Sequence, residues 1–285
     1  MTKGTNFNKS LRKKVRNAAS KRLPSGFTLV ELLVVIAIIA LLMSILMPAL
    51  ARVRKQSKAV LCQSNLHEWA LVFSMFGDDN NSQLPGEGAG FGWWWIAPLK
   101  PYFKDLKLLV CPTATKPYLL GGQVPFGAWV IGRGEGTGSD IPGIEYEGMY
   151  YDAGSYGPNG WTANLPPEIE TFFGRPTANN WRVLTVNGAG NIPLFLDCAM
   201  VDAWPRHTDM PPEIEDDWTG WMGNEMRQFC LNRHQRSING LFLDLSVRKV
   251  GLKRLWKLKW SPDFDLNGGP TEDEWPDWMR DFPDY

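Results

Sequence analysis

The chain has 285 residues, enough for one large domain or two small ones, and its 14 Trp are far above ordinary usage. The formal net charge is zero, yet residues 1–26 hold Lys3, Lys9, Arg12, Lys13, Lys14, Arg16, Lys21 and Arg22 with no acid, so the remainder carries −8. An acidic body is a poor match for nucleic acid, whose binding depends on neutralising phosphates, and no nucleic-acid partner is expected.

Behind this basic leader comes an apolar run in which Glu31 is the sole ionisable residue from Phe27 to Leu50. About 20 apolar residues suffice to cross a bilayer as a helix, and a carboxylate within such a span is costly and marks function. Basic residues next to the span predict a cytoplasmic N-terminus with the rest exported. An ordinary secretory signal is cut after its apolar core. Here the processing point, Gly26-Phe27, lies before it, so cleavage removes residues 1–26 and leaves the membrane helix on the mature chain.

Gly26-Phe27-Thr28-Leu29-Val30-Glu31, the apolar run and Pro48 within its distal part resemble the prepilin peptidase recognition motif of type IV pilins and type II secretion pseudopilins. The resemblance implies cleavage between Gly26 and Phe27, N-methylation of Phe27 and assembly of the helix into a filament core. In such a filament the Glu31 carboxylate pairs with the Phe27 amine of a neighbouring subunit. An unpaired buried charge is heavily penalised, so this pair would set register.

Beyond Leu50 a basic cluster, Arg52, Arg54 and Lys55, leads into Ala59, Cys62, Leu66, Trp69, Phe73 and Phe76, an apolar stripe at helical spacing. Gly77 and the following Asp and Asn residues supply a stop. One helix is therefore predicted over 27–78, about 75 Å long, with 27–50 transmembrane and Pro48 as a kink. Residues 79–285 form the exported head. Trp93-Trp94-Trp95 is read as buried beneath the following loops, with sugar stacking or a subunit contact as the alternative. Residues 101–105 read as a short helical segment and 108–112 as a short strand. Residues 121–180 read as loops with short strands, including 126–130. Strands are predicted at 192–197, 226–231 and 239–244, the last two as a hairpin joined through His234-Gln235-Arg236-Ser237. A helical turn is predicted within 252–260.

His234, nine residues and Asp244 resemble the His–nine residues–Asp-Gly element near the end of many pilin-like proteins of planctomycete-type bacteria, with Leu245 in place of the Gly. The strand is accordingly expected to continue through Ser246-Val247, with a His234–Asp244 hydrogen bond across the hairpin. Asp263, Asp265, Asn267, the Gly269 carbonyl and Glu274 have the spacing of a calcium loop, so Ca2+ is the one cofactor considered. Against it, Pro270 replaces a pairing strand residue and Trp275-Pro276 makes a poor exiting helix. Four cysteines allow three connectivities. Their positions favour Cys62–Cys111 and Cys198–Cys230, with free buried thiols as the alternative. His67, His207 and His234 share no zinc-binding spacing.

There is no nucleophile elbow, P-loop or dinucleotide fingerprint, so no enzyme is expected. The expected fold is α+β and pilin-like: a long N-terminal helix, transmembrane in its first half, packed on a C-terminal antiparallel β-sheet with long loop insertions. The expected function is a structural subunit of a type IV pilus-like or type II secretion pseudopilus filament. Its partners are prepilin peptidase/methylase, copies of itself or other pilin-like subunits, and an inner-membrane assembly platform. It is placed in the cytoplasmic membrane as a single-pass protein and then in the filament. The alternative is an anchored carbohydrate- or surface-binding protein that uses its Trp-rich loops.

Overall fold

The computed structural model describes residues 28–86, 93–132, 144–146, 149–215, 217 and 223–283. The chain divides into two compact units, 1–50 and 51–285. Helix α1 spans Leu29–Asp79 and continues through Pro48, the predicted kink.

In the first unit the helical residues are apolar on every side and all exposed: Leu32, Ile36, Ile39, Leu42, Leu46 and Leu50 each present half or nearly half of their surface. A helix hydrophobic all round belongs inside a large core or a membrane. This one is long and apolar enough to cross a bilayer.

In the second unit α1 becomes one-sided. Cys62, Leu66, Trp69, Phe73 and Phe76 are buried, as the spacing predicts, and Ala70, Val72 and Gly77 join them. Asn81 and Ser82 adopt positive φ just past the helix end and turn the chain. The triple-Trp segment is helical: α2 spans Trp93–Leu99. Trp94 and Trp95 are buried, and their indole N–H groups donate to Asp202 Oδ2 (2.6 Å) and the Val201 carbonyl (3.0 Å). The helical segment after Pro101 is a short 3-10 turn over Lys100–Tyr102. The strand expected at 108–112 is also a 3-10 turn, Leu106–Leu109, capped by the Asp105 side chain.

Among the described residues the strands form two four-stranded sheets and a ribbon. The first sheet contains β1 (Lys116–Pro117), β2 (Gly127–Gly132), β3 (Ile144–Tyr146) and β4 (Met149–Gly154), in the order β1-β2-β4-β3. Its β1–β2 pair is parallel and the others antiparallel. The second sheet is fully antiparallel. It contains β5 (Tyr156–Pro158), β8 (Pro193–Asp197), β9 (Ser237–Phe242) and β10 (Val247–Gly251), in the order β10-β9-β8-β5. The ribbon joins β6 (Thr171–Phe172) to β7 (Arg175–Pro176). A short helix, α3, spans Asp277–Arg280.

Three expectations need correction. Residues 226–231 are not a strand: Glu225–Gln228 is a 3-10 turn. The hairpin is instead β9–β10, and the antiparallel partner on the other side of β9 is β8. The strand does not continue through residue 245 either. Leu245 takes φ of +61°, the left-handed conformation a glycine would adopt freely, and the chain reverses there. Asp244 holds this turn by accepting from the Ser246 N–H (3.0 Å) and hydroxyl (2.6 Å).

Both faces of the second sheet are covered. On one, Trp69 and Phe73 of α1 pack on Phe195 at ring centroid distances of 4.7 and 5.7 Å. On the other lie Leu196, Ile238 and Phe242 with Phe229, Leu255, Trp256 and Trp260. A register irregularity between Pro193 and Phe195 explains why the adjacent Leu194 and Phe195 both join the α1-side core. Polar bonds also fasten α1 to β9: Gln63 Nε2 donates to Asn239 Oδ1 (3.1 Å), and Asn239 Nδ2 to the Ala59 carbonyl (3.2 Å).

Candidate functional site

Of the residues at the processing motif, Gly26 and Phe27 lie outside the described residues. Thr28 immediately precedes α1, and Glu31 lies in its first turn. The Glu31 carboxylate accepts from the Thr28 N–H and hydroxyl, both at 2.8 Å, and the Thr28 hydroxyl oxygen accepts from the Glu31 N–H at 3.2 Å. This is a reciprocal capping box, encoded locally by Thr-x-x-Glu before an apolar run. The acid that is anomalous as a membrane residue is therefore also the residue that closes the helix start.

The carboxylates of the calcium-loop residues take other hydrogen-bond partners. Asp263 accepts from the Ser261 hydroxyl (2.5 Å) and Asn179 Nδ2 (2.7 Å). Asp265 accepts from the Asn267 N–H (2.9 Å). Glu274 turns back to cap Thr271, accepting from its N–H (2.7 Å) and hydroxyl (2.8 Å). Asp263, Asp265 and Glu274 thus accept from side-chain and backbone donors of the protein.

All four cysteines are buried free thiols. Cys62 and Cys111 are brought together, and His234 and Asp197 join them, with the four ligand atoms within 4.8 Å of one another. Cys62 comes from the buried face of α1 and Cys111 from the segment after the Leu106–Leu109 turn. Asp197 ends β8, and His234 precedes β9. The Cys62 thiol faces both Asp197 oxygens (3.7 and 3.6 Å) and accepts from the Tyr156 hydroxyl (3.2 Å). Cys111 Sγ lies 3.4 Å from His234 Nε2, which lies 3.1 Å from Asp197 Oδ2. Asp197 Oδ1 receives Arg233 Nη1 at 3.0 Å, and Oδ2 receives the Asn239 N–H at 2.9 Å. His234 therefore pairs with Asp197, not Asp244.

The environment separates these groups electrically. Burial disfavours the Asp197 carboxylate, but His234, Arg233 and the Asn239 N–H outweigh it and hold its pKa well below the usual range. Burial also opposes the His234 imidazolium, and the Asp197 charge overrides it, lifting His234 to about 9. Burial pushes the Cys62 thiol far up. At Cys111 burial is outweighed by the Cys62, His234 and Arg233 interactions, which bring its pKa down to about 6. Cys198 and Cys230 are simply buried, and that pushes each thiol up. Cys230 donates to Met279 Sδ at 3.7 Å.

This cluster has no short sequence signature. Its members come from four separate segments, so spacing rules for metal or catalytic motifs pass over it. The signal available was the placement of Cys62 on the buried stripe of α1.

A capped apolar helix followed by a head built on an antiparallel sheet is an α+β, pilin-like architecture. Residues 21–47 match the family described as the prokaryotic N-terminal methylation motif. Over 64 residues the chain is 41% identical to the type IV wide pilus major component PilA4 of Thermus thermophilus. That stretch is 22% of this chain and 49% of PilA4, so the chain spans about half the length of this curated relative. No solved structure matches. Residues 21–47 thus resemble a prepilin-type motif, and part of the chain is similar to a type IV pilin.

Proposed function

We propose that this chain is a subunit of a type IV pilus-like filament, or of the related type II secretion pseudopilus. Prepilin peptidase would cut between Gly26 and Phe27, remove the basic leader 1–26 and methylate the Phe27 amine. Residues 27–50 would hold the subunit in the cytoplasmic membrane with the N-terminus inside and the head, 79–285, exported. Subunits would then pass from an inner-membrane assembly platform into a filament, with these helices packed in its core.

The observation that carries the reading is the first unit of α1: an all-round apolar helix, bare of protein cover, that starts at a Thr28–Glu31 box within the matched motif. In a membrane the apolar side chains face lipid; in a filament they face the same helix of other subunits. Helix packing of this kind needs no polar face, and the lone acid provides a register mark for the neighbour's Phe27 amine. The surface-binding alternative gains no support from Trp94 and Trp95, which are spent on the core.

The test is Glu31→Ala in the native host. Membrane insertion and leader removal should persist, read as the mass shift of the processed chain, while filaments sheared from cells should lose the subunit. Wild-type incorporation of the variant would sink the pairing reading. Neighbouring genes distinguish the two machines: a retraction ATPase points to a pilus, a secretin with secreted hydrolases to a pseudopilus.

A further inference from the structure

We propose that Cys62, Cys111, Asp197 and His234 form a structural Zn2+ site that locks the second unit of α1 to the sheet. Zinc takes sulfur at about 2.3 Å, imidazole nitrogen at about 2.0–2.1 Å and carboxylate oxygen at about 2.0–2.2 Å in a tetrahedron. Those lengths imply tetrahedron edges of about 3.8 Å for S–S, about 3.5 Å for S–N or S–O and about 3.3 Å for N–O. The structure has Cys62 Sγ to Asp197 Oδ2 at 3.6 Å, Cys111 Sγ to His234 Nε2 at 3.4 Å and His234 Nε2 to Asp197 Oδ2 at 3.1 Å. The remaining edges, including S–S, are within 4.8 Å. Three of the six edges are thus already close to those of a zinc tetrahedron.

The surroundings have what such a site needs. Outer-shell hydrogen bonds orient metal ligands and tune them. Here Arg233 holds Asp197 Oδ1, and the Asn239 N–H takes one lone pair of Oδ2, which leaves the other lone pair of Oδ2 for the metal. The Tyr156 hydroxyl reaches Cys62 Sγ, and the Ser155 hydroxyl oxygen takes the Cys111 N–H at 2.5 Å. Charges balance as well: two thiolates and a carboxylate match Zn2+ plus the Arg233 guanidinium, so no net charge is buried. Coordination forms two Zn–S bonds, one Zn–N bond and one Zn–O bond, and the protons held by the thiols and imidazole leave to solvent. Cys62, Cys111 and Asp197 are fully buried and His234 is 5% exposed, which leaves no open position for substrate. That makes the site structural rather than catalytic. His234 and Arg233 also line a surface cleft with Gln63 and Asn239, which offers the ion a way in.

The proposal is tested on the full chain, purified in detergent, reduced, stripped with chelator and titrated with Co2+ and then Zn2+. One Co2+ per chain should bind with the visible bands of tetrahedral cobalt and a thiolate charge-transfer band, and Zn2+ should abolish both. Zinc should raise the thermal midpoint and chelator should lower it. Cys111→Ala should lose the charge-transfer intensity, whereas Cys198→Ala, which changes a buried thiol outside the cluster, should keep it. A folded, reduced wild-type chain with no tetrahedral cobalt spectrum overturns the proposal. So does a Cys62–Cys111 disulfide in non-reduced peptide maps of protein taken directly from cells. Because the wild-type readout alone decides, a variant that fails to fold does not blur the result.

Discussion

The Glu31 carboxylate holds both the N–H and the hydroxyl of Thr28 at 2.8 Å, so it has a partner within its own chain before any neighbour arrives. The proposed intersubunit pairing with a Phe27 amine would therefore have to share or displace those contacts. Capping needs an acceptor oxygen, whereas pairing needs a negative charge.

Glu31→Gln separates the two. A glutamine amide oxygen still accepts from Thr28 and completes the box, but it cannot pair with a cation. Helicity of the detergent-solubilised chain should match wild type by circular dichroism, while incorporation into sheared filaments falls to the level of Glu31→Ala. Assembly at wild-type level would mean that Glu31 acts only as a cap.

Arg175 and Glu225 form a buried ion pair, with the Arg175 guanidinium 4.5 Å above the Trp204 ring and Glu225 Oε2 accepting the Trp204 backbone N–H at 2.6 Å. Arg175→Met leaves a carboxylate buried without its cation, and breaking such a pair from one side costs about 3–5 kcal/mol. Adding Glu225→Leu removes the stranded charge and should recover part of that loss. Urea unfolding followed by tryptophan fluorescence would measure both steps.

Asp209 introduces a pH dependence. It is buried, and desolvation raises its pKa to about 6 despite the Arg206 and Met226 N–H groups that its Oδ2 accepts at 3.0 and 2.9 Å. A raised carboxyl pKa means that the folded state keeps its proton longer than the unfolded chain does. The protonated group costs nothing below about pH 4; the penalty grows as pH rises to about 6 and remains above it. Asp209→Asn keeps an oxygen for both N–H groups without the charge. It should stabilise the protein by on the order of 2 kcal/mol at about pH 8 and have little effect at about pH 4, in urea titrations at the two pH values.

Leu245 adopts the left-handed conformation, which costs a side-chain-bearing residue about 1–2 kcal/mol, while its half-buried side chain packs on the α1-side core. Leu245→Gly relieves the first and forfeits the second, so its stability should stay within about 1 kcal/mol of wild type. Leu245→Val keeps the strain, adds branching at Cβ and loses packing, and should be destabilised by about 1–2 kcal/mol. Thermal melts of the two variants give the order.

The amino-acid order alone determined everything whose cause is local. Glu31 stands out because one charge sits in a long apolar run, and Cys62, Leu66, Trp69 and Phe73 declare a buried face because helical periodicity puts them on one stripe. The strands at 192–197 and 239–244 are legible as apolar runs bounded by turn residues. Partner choice, by contrast, was decided only by the tertiary structure. Asp263, Asp265 and Glu274 have calcium-loop spacing, yet their carboxylates accept from Ser261 and Asn179, from Asn267 and from Thr271, partners that the spacing does not name. His234 has Asp244 ten residues ahead in sequence, but β9 pairs with both β8 and β10, and that puts His234 beside Asp197. The same pairing, with α1 docked on the sheet, gathers Cys62, Cys111, Asp197 and His234 from segments far apart in the chain. Sheet order and helix docking are long-range contacts, and periodicity within one segment carries no information about which segment will lie across from it.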